Sequence, residues 1–248
     1  MLRRQGTGQS LCAEAAGAGG VTAMMIFKAL SALLDYPSAD LQAMLPELRA
    51  IVDRAMPANA TEAGNLMALI DELGSAELMA VQERYCELFD RGRSLSLHLF
   101  EHVHGDSRDR GPAMIDLIEL YRRHGFEPHP RELPDYLPLF VEFLSQVETK
   151  EARNLLTDAA PIIALLRDRL AKRGSAYAAV PAALLAIAGG ASVSPVAQAP
   201  GADDDSFEAL DRAWEEAAVT FGPENDPMRA GTGCDKAASW VARINAPR

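Results

Sequence analysis

The residues best suited to chemistry lie in one short histidine-rich stretch of the chain. His98, Glu101 and His102 have the spacing H-x-x-E-H, in which two histidines one helical turn apart can bind zinc while the glutamate acts as a base. Only three positions of this pattern are fixed, so it also requires a stable helix and a third protein ligand. One function that this stretch allows is therefore that of a small metal-dependent hydrolase, which we keep as the alternative to the function derived below. The other interpretation is that these side chains are structural and anchor a loop between two helices.

Other catalytic signatures do not occur in the sequence. There is no G-x-S-x-G motif, and Cys86 lies in an apolar helical stripe, where a buried, inert thiol is the usual outcome. The three cysteines are far apart and lack C-x-x-C spacing, which argues against a disulfide framework and against a zinc site made of cysteine. The sequence therefore predicts no catalytic residue and no bound metal, and it favours a protein that is not an enzyme.

Composition limits the kind of partner. The chain has 248 residues with 35 Asp and Glu against 24 Lys and Arg, a formal net charge of −11. This balance argues against nucleic-acid binding, which needs clustered basic side chains, and it suits a basic partner. No apolar run approaches the roughly 20 residues that span a bilayer, so we predict a protein that is not membrane-embedded. Sparse cysteines indicate the reducing cytoplasm.

The spacing of apolar residues predicts helices almost throughout. From residue 24 onward this spacing is helical, so we expect an all-α, single-domain helical bundle over 24–188. Polar and apolar residues alternate only at 94–99, where a lone strand would have no partner. Residues 1–23 are predicted to be a disordered, flexible extension. Residues 189–248 are predicted to be a linker, a short docking helix at about 206–218 and a flexible tail.

Longer motifs resemble a known family. Five segments together resemble the nitrate reductase assembly chaperones of the NarJ family, and the likeness extends over about residues 24 to 222. The central run is long enough to make the resemblance specific. The matching segments are residues 30–37, 83–92, 94–114, 133–138 and 214–222.

The resemblance implies a fold and a function. The wider family of redox-enzyme maturation chaperones is all-helical, so a TorD-like bundle is expected. Its members bind the N-terminal leader of a molybdoenzyme catalytic subunit until the cofactor is loaded. By resemblance, the chain would bind the leader of the nitrate reductase α subunit in the cytoplasm. It would support insertion of the molybdenum cofactor and an iron–sulfur centre before membrane attachment, holding no cofactor stably itself. Molybdenum cofactor biosynthesis proteins are candidate partners.

Two motifs carry the binding site that the resemblance implies. One is Y-x-x-L-F on a predicted helix, and the other is the family's E-P-x-D-H loop, in which Leu133 here precedes the proline and Tyr136 replaces the histidine. The expected peptide-binding residues are Tyr85, Leu88, Phe89, Glu132, Pro134, Asp135 and Tyr136, and the family-motif loop contains Glu101, His102, His104, Asp106, Arg108 and Asp109.

Both motifs also have a purely structural interpretation. Tyr85, Leu88 and Phe89 have the spacing that core packing of a helix produces. Asp135 can be the N-cap of the next helix, with Glu132 in a solvated loop. In the binding interpretation, the three apolar residues form a groove for the leader's apolar face, and the two carboxylates attract its basic residues.

Overall fold

The computed structural model describes residues 2–4, 18–56, 60–104 and 108–189. The helices in these residues are α1 Ala18–Leu34, α2 Ala39–Ala55, α3 Ala60–Ser75, α4 Leu78–Phe89, α5 Glu101–His104, α6 Arg110–Arg123, α7 Leu137–Leu144, α8 Thr149–Lys172 and α9 Ala179–Ile187. Short 3₁₀ turns occupy Arg93–Leu95 and Ala176–Ala178, and two strands are β1 Leu2–Arg4 and β2 Phe126–Pro128. The prediction of an all-α fold is confirmed.

The ends of the chain differ from the expectation. Helix α1 begins at Ala18, and β1 pairs antiparallel with β2, so the stretch predicted to be a disordered extension contains a strand and the first turns of a helix. Leu2 packs against the hydrophobic core, which gives the strand an apolar contact. The predicted linker, docking helix and tail lie outside the described residues, apart from Gly189. Within the described residues, no helix is both long and apolar enough to span a bilayer.

The core is built around helices α1 and α7, which have little exposed surface. Helix α1 packs mainly against α7 and α2, and α8 packs against α9. In α7 every side chain except that of Glu142 is buried, which is the pattern of a helix surrounded by other helices. The position of α7 is therefore fixed on all sides, and so is the loop that leads into it.

Two segments that carry the motif residues meet at the start of α7. We call residues 93–104 the histidine segment and residues 129–136 the acidic loop. They form an isolated antiparallel bridge between His98 and Tyr136. The alternating stretch of the sequence therefore has a partner, but the pairing is a single bridge and not a strand.

Backbone hydrogen bonds hold the bridge on both sides. The Leu99 amide donates to the Asp135 carbonyl at 3.0 Å, and the Leu137 amide donates to the Leu97 carbonyl at 2.8 Å. Because the second bond comes from the first residue of α7, the histidine segment is attached directly to the buried helix.

The side chain of Asp135 joins the same two segments. It is fully buried, and its Oδ2 accepts a hydrogen bond from the Phe100 amide at 3.2 Å. Arg110 Nη2 lies 3.6 Å from Oδ2, and His98 Nδ1 lies 3.3 Å from Oδ1. The prediction that Asp135 caps α7 is wrong, since Tyr136 occupies the N-cap position without a side-chain bond. A buried carboxylate with these partners fixes the loop instead.

We expect Asp135→Ala to destabilise the protein by roughly 3 kcal/mol, because removing one partner of a buried ion pair leaves the other charge uncompensated. Urea unfolding followed by circular dichroism measures the loss. Asp53→Ala, at an exposed position of α2, is the control and should change the free energy of unfolding by less than about 0.5 kcal/mol. Equal stability of the two variants would contradict the structural role of Asp135.

Candidate functional site

A cleft lies beside the bridge, where the C-terminal end of α4 meets the histidine segment and the turn between α1 and α2. Its volume is about 190 Å³. Three of the predicted peptide-binding residues line it, one of them from the acidic loop. The lining residues are Tyr36, Tyr85, Phe89, Asp90, Ser96, Leu97, His98 and Tyr136.

The floor of the cleft is aromatic. Tyr85 and Phe89 lie one turn apart on α4, which places them on the same helix face, with ring centroids 4.7 Å apart. Tyr177 packs behind them, 5.9 Å from Tyr85 and 5.1 Å from Phe89. Both floor residues are buried, so the core-packing interpretation is confirmed for them. The same rings also line the cleft.

Hydrogen bonds fix Tyr85 in the floor of the cleft and Tyr136 in its wall. Tyr85 Oη donates to the Leu34 carbonyl at 2.8 Å and lies 3.4 Å from Tyr136 Oη. Tyr136 Oη in turn donates to Asp35 Oδ1 at 3.4 Å. Burial raises the pKa of both phenols, so both remain protonated donors at neutral pH. The hydroxyl groups therefore connect α4 and the acidic loop to the end of α1.

Carboxylates lie around the cleft. Asp35 is half-buried, and its Oδ1 accepts from the Tyr36 amide at 2.9 Å. Burial raises the pKa of the Asp35 carboxyl, and the negative charge of Glu132 raises it further, against the lowering effect of its two hydrogen bonds. Asp90 is exposed at the C-cap of α4 and lines the cleft itself. Carboxylate side chains therefore lie both in the lining of the cleft and at the end of α1 beside it.

The other predicted binding residues lie in different environments. Asp135 is fully buried, so it cannot form the acidic rim that the sequence suggested. Pro134 is buried, and its carbonyl accepts from Tyr121 Oη at 2.8 Å. Glu132 is half-buried, and Leu88 is half-buried against the core. Of the two predicted carboxylates, only Glu132 is accessible to solvent.

The geometry does not support a metal centre in the histidine segment. Helix α5 begins at Glu101, so His98 and His102 do not lie on one helix as the H-x-x-E-H pattern requires. His98 instead faces Asp135, and Glu101 Oε1 lies 3.5 Å from Arg110 Nη1. Within the ranges that the structure describes, no group of three His, Cys, Asp or Glu side chains could hold a metal ion.

His102 has a structural role. Its Nε2 lies 2.8 Å from the Ser96 carbonyl, and Arg169 Nη1 lies 3.1 Å from its Nδ1. Arginine only donates, so Nδ1 must accept and Nε2 must carry the proton of a neutral imidazole. The same arginine donates to the Ser94 carbonyl at 2.9 Å, which attaches the histidine segment to α8. Elsewhere in the family-motif loop, His104 is buried, Arg108 and Asp109 are exposed, and Asp106 lies outside the described residues.

Sequence reasoning missed several residues of this region. Asp35 and Tyr36 belong to the segment 30–37 that carried part of the resemblance, and Asp90 belongs to the segment 83–92, so the signal was present in the motifs. The motifs did not show that these segments lie close together in the fold. His98 was considered as a zinc ligand or as a structural residue that anchors a loop, and not as part of a binding cleft.

We expect acid to destabilise the folded protein partly through His102. Burial, and then the nearby Arg169 charge, lower the pKa of this imidazole below its ordinary value of 6.5, while its hydrogen bond to Ser96 opposes the shift. Below pH 6.5 the unfolded chain therefore binds a proton that the folded chain does not, and the free energy of unfolding falls. Urea unfolding above and below this pH should show a smaller decrease for His102→Gln than for the wild type. His104, whose pKa burial also lowers, accounts for part of the remaining slope. An identical slope in both proteins would contradict this assignment.

Comparison with known proteins identifies the family that the motifs indicated. The family model described as "Nitrate reductase delta subunit" matches residues 38–182. The chain is 45% identical over 195 residues to "Nitrate reductase molybdenum cofactor assembly chaperone NarJ" of Escherichia coli (strain K12), covering 77% of this chain and 83% of that protein. It is 40% identical to "Probable nitrate reductase molybdenum cofactor assembly chaperone NarW" of the same strain, covering 86% and 88%. The resemblance read from the sequence is confirmed, and the chain belongs to the nitrate reductase delta subunit family.

Proposed function

We propose that the chain binds the N-terminal leader of the respiratory nitrate reductase α subunit at the cleft described above. In the cytoplasm, it would then support insertion of the molybdenum cofactor and an iron–sulfur centre before the enzyme attaches to the membrane. The observation that carries the proposal is that the chain belongs to this family and that its similar relatives are named as molybdenum cofactor assembly chaperones. The chain is accordingly a chaperone and not an enzyme, and the hydrolase alternative is not retained.

The size of the cleft favours a peptide side chain as its occupant. At about 190 Å³ it is smaller than the roughly 300–1,000 Å³ typical of small-molecule sites. Helical peptides bind through a few anchor side chains spaced one turn apart, while the remaining contacts lie on the surface. A leader helix can therefore place one anchor in the cleft and lie across its mouth.

The surface near the cleft offers apolar contacts to such a helix. Tyr36 lines the cleft and is 47% exposed, although its ring packs edge-on against Tyr85. Leu133, in the turn that leads into Tyr136, is also 47% exposed. A contiguous exposed apolar patch is typical of a protein-binding surface, and we propose that these two side chains belong to one. They would cover the leader's apolar face.

Charge supports a basic ligand. The chain carries a net charge of −11, and Asp35, Asp90 and Glu132 lie in or near the cleft. A negative surface raises the association rate of a positive ligand, and salt reduces the effect because charges are screened over roughly 8–10 Å at physiological ionic strength. These three carboxylates replace the pair proposed from the sequence, since Asp135 is buried.

We expect Tyr36→Ala to weaken binding of the synthetic α-subunit leader by about tenfold, because truncating an aromatic anchor commonly costs more than about 1 kcal/mol. Isothermal titration with the purified chain measures the dissociation constant, and circular dichroism verifies folding. Met44→Ala is the matched control, since Met44 on α2 is 45% exposed and does not line the cleft. Equal losses in both variants, or no loss in a folded Tyr36→Ala protein, would place the leader elsewhere.

Cofactor loading can be tested in the host. A strain without this chain should produce α subunit with reduced molybdenum content and little nitrate reductase activity. Wild-type chain and Met44→Ala should restore both, and Tyr36→Ala should restore them only in part. Full molybdenum content of the α subunit in the absence of the chain would contradict the assembly function.

A further inference from the structure

We infer that the cleft binds a basic side chain of the leader, an arginine, with Asp90 and the C-terminal end of α4 as its negative partners. This inference rests on the proposed leader binding and specifies which side chain enters the cleft. Three features of the described residues support it: the aromatic walls, the helix end and the polar groups of the lining.

The walls suit a planar cation. The rings of Tyr36 and Tyr85 are perpendicular with centroids 5.6 Å apart, and the ring of Phe89 is tilted by 53° relative to that of Tyr85. Tyr136 adds a further ring. A guanidinium within about 6 Å of such ring faces is attracted to their negative centres, and the attraction grows as water is excluded.

The end of α4 supplies negative charge at the same place. This helix of 12 residues ends at Phe89, and the Asp90 amide donates to the Cys86 carbonyl at 3.0 Å. The last carbonyl groups of a helix together act as a charge of roughly −0.5, which stabilises a nearby cation. Asp90, whose side chain is acidic, is itself among the lining residues.

Among the described residues that line the cleft there is no lysine or arginine. Arg91 follows Asp90 in the chain, but it is not a lining residue. His98 lines the cleft, and its Nδ1 faces the buried Asp135. The described lining therefore combines a carboxylate residue with aromatic surface and holds no lysine or arginine.

An apolar anchor fits this lining less well. A leucine or phenylalanine would cover the rings, but it would remove water from a carboxylate and from tyrosine hydroxyl groups without replacing their hydrogen bonds. Arginine covers the same rings with its planar group and donates to those acceptors. Lysine is more strongly hydrated and cannot stack, so we expect it to bind more weakly than arginine.

A double-mutant cycle between chaperone and leader tests the inference. Each arginine of the synthetic leader is replaced by glutamine, and each peptide is titrated into wild-type chain and into Asp90→Asn. At one of the arginine positions, we expect replacement by glutamine to weaken binding of the peptide to the wild-type chain about tenfold. The same replacement should weaken binding of the peptide to Asp90→Asn by less than about twofold. Glu77→Gln is the matched control, because it removes an exposed charge at the opposite end of the same helix. In Glu77→Gln, replacing the same leader arginine should still weaken binding about tenfold.

The outcomes separate this inference from the proposed function. If the wild-type leader binds but no arginine couples to Asp90, or if leucine at the coupled position binds equally well, the arginine assignment is overturned and leader binding stands. If the leader does not bind at all, N-acetyl-arginine amide still probes the cleft by shifts of the tyrosine NMR signals. Shifts that are smaller in Asp90→Asn would support the cation site, and their absence in the wild type would overturn it.

Discussion

The buried carboxylate of Asp135 is the interaction on which the candidate site depends. It holds the histidine segment against the acidic loop through the Phe100 amide, His98 and Arg110. These two segments supply half of the cleft lining, including Tyr136. A buried charge is favourable only when its partners are in place, so the two segments are held together or the carboxylate is left uncompensated. A fully buried residue therefore holds half of the cleft lining in position.

Burial and hydrogen bonds hold several residues of the cleft in position. Helix α7 is buried on nearly all sides, and Tyr136 stands directly before it. On the floor of the cleft, Tyr85 is fixed by its bond to the Leu34 carbonyl, and Arg169 attaches the histidine segment to α8. Groups already held in position lose little conformational freedom on binding, which lowers the entropic cost of association. A small cleft can then recognise a single side chain selectively.

The sequence predicted the helices and part of the site because the signals for both are local or present in the motifs. Apolar spacing identified the helical body, and the resemblance brought together Tyr85, Phe89 and Tyr136, which the structure places around one cleft. The burial of Asp135 could not be predicted, because an aspartate shortly before a helix gives the same local signal as an N-cap. The strand at residues 2–4 was missed for a related reason: three residues carry no detectable period, and their pairing partner is more than a hundred positions away.

The proposed binding mode would let the chain bind its client without holding it permanently. An area of apolar contact large enough for very tight binding would slow release, since most differences in affinity arise from the dissociation rate. Exposed carboxylates act differently, because long-range attraction raises the association rate while each exposed pair adds only about 0–1 kcal/mol to affinity. If the leader binds as proposed, the net charge of −11 and the small cleft of about 190 Å³ beside Asp90 favour rapid capture followed by release. In the proposed mode of binding, release would require only that the anchor leave the cleft, because charge alone would retain the leader weakly.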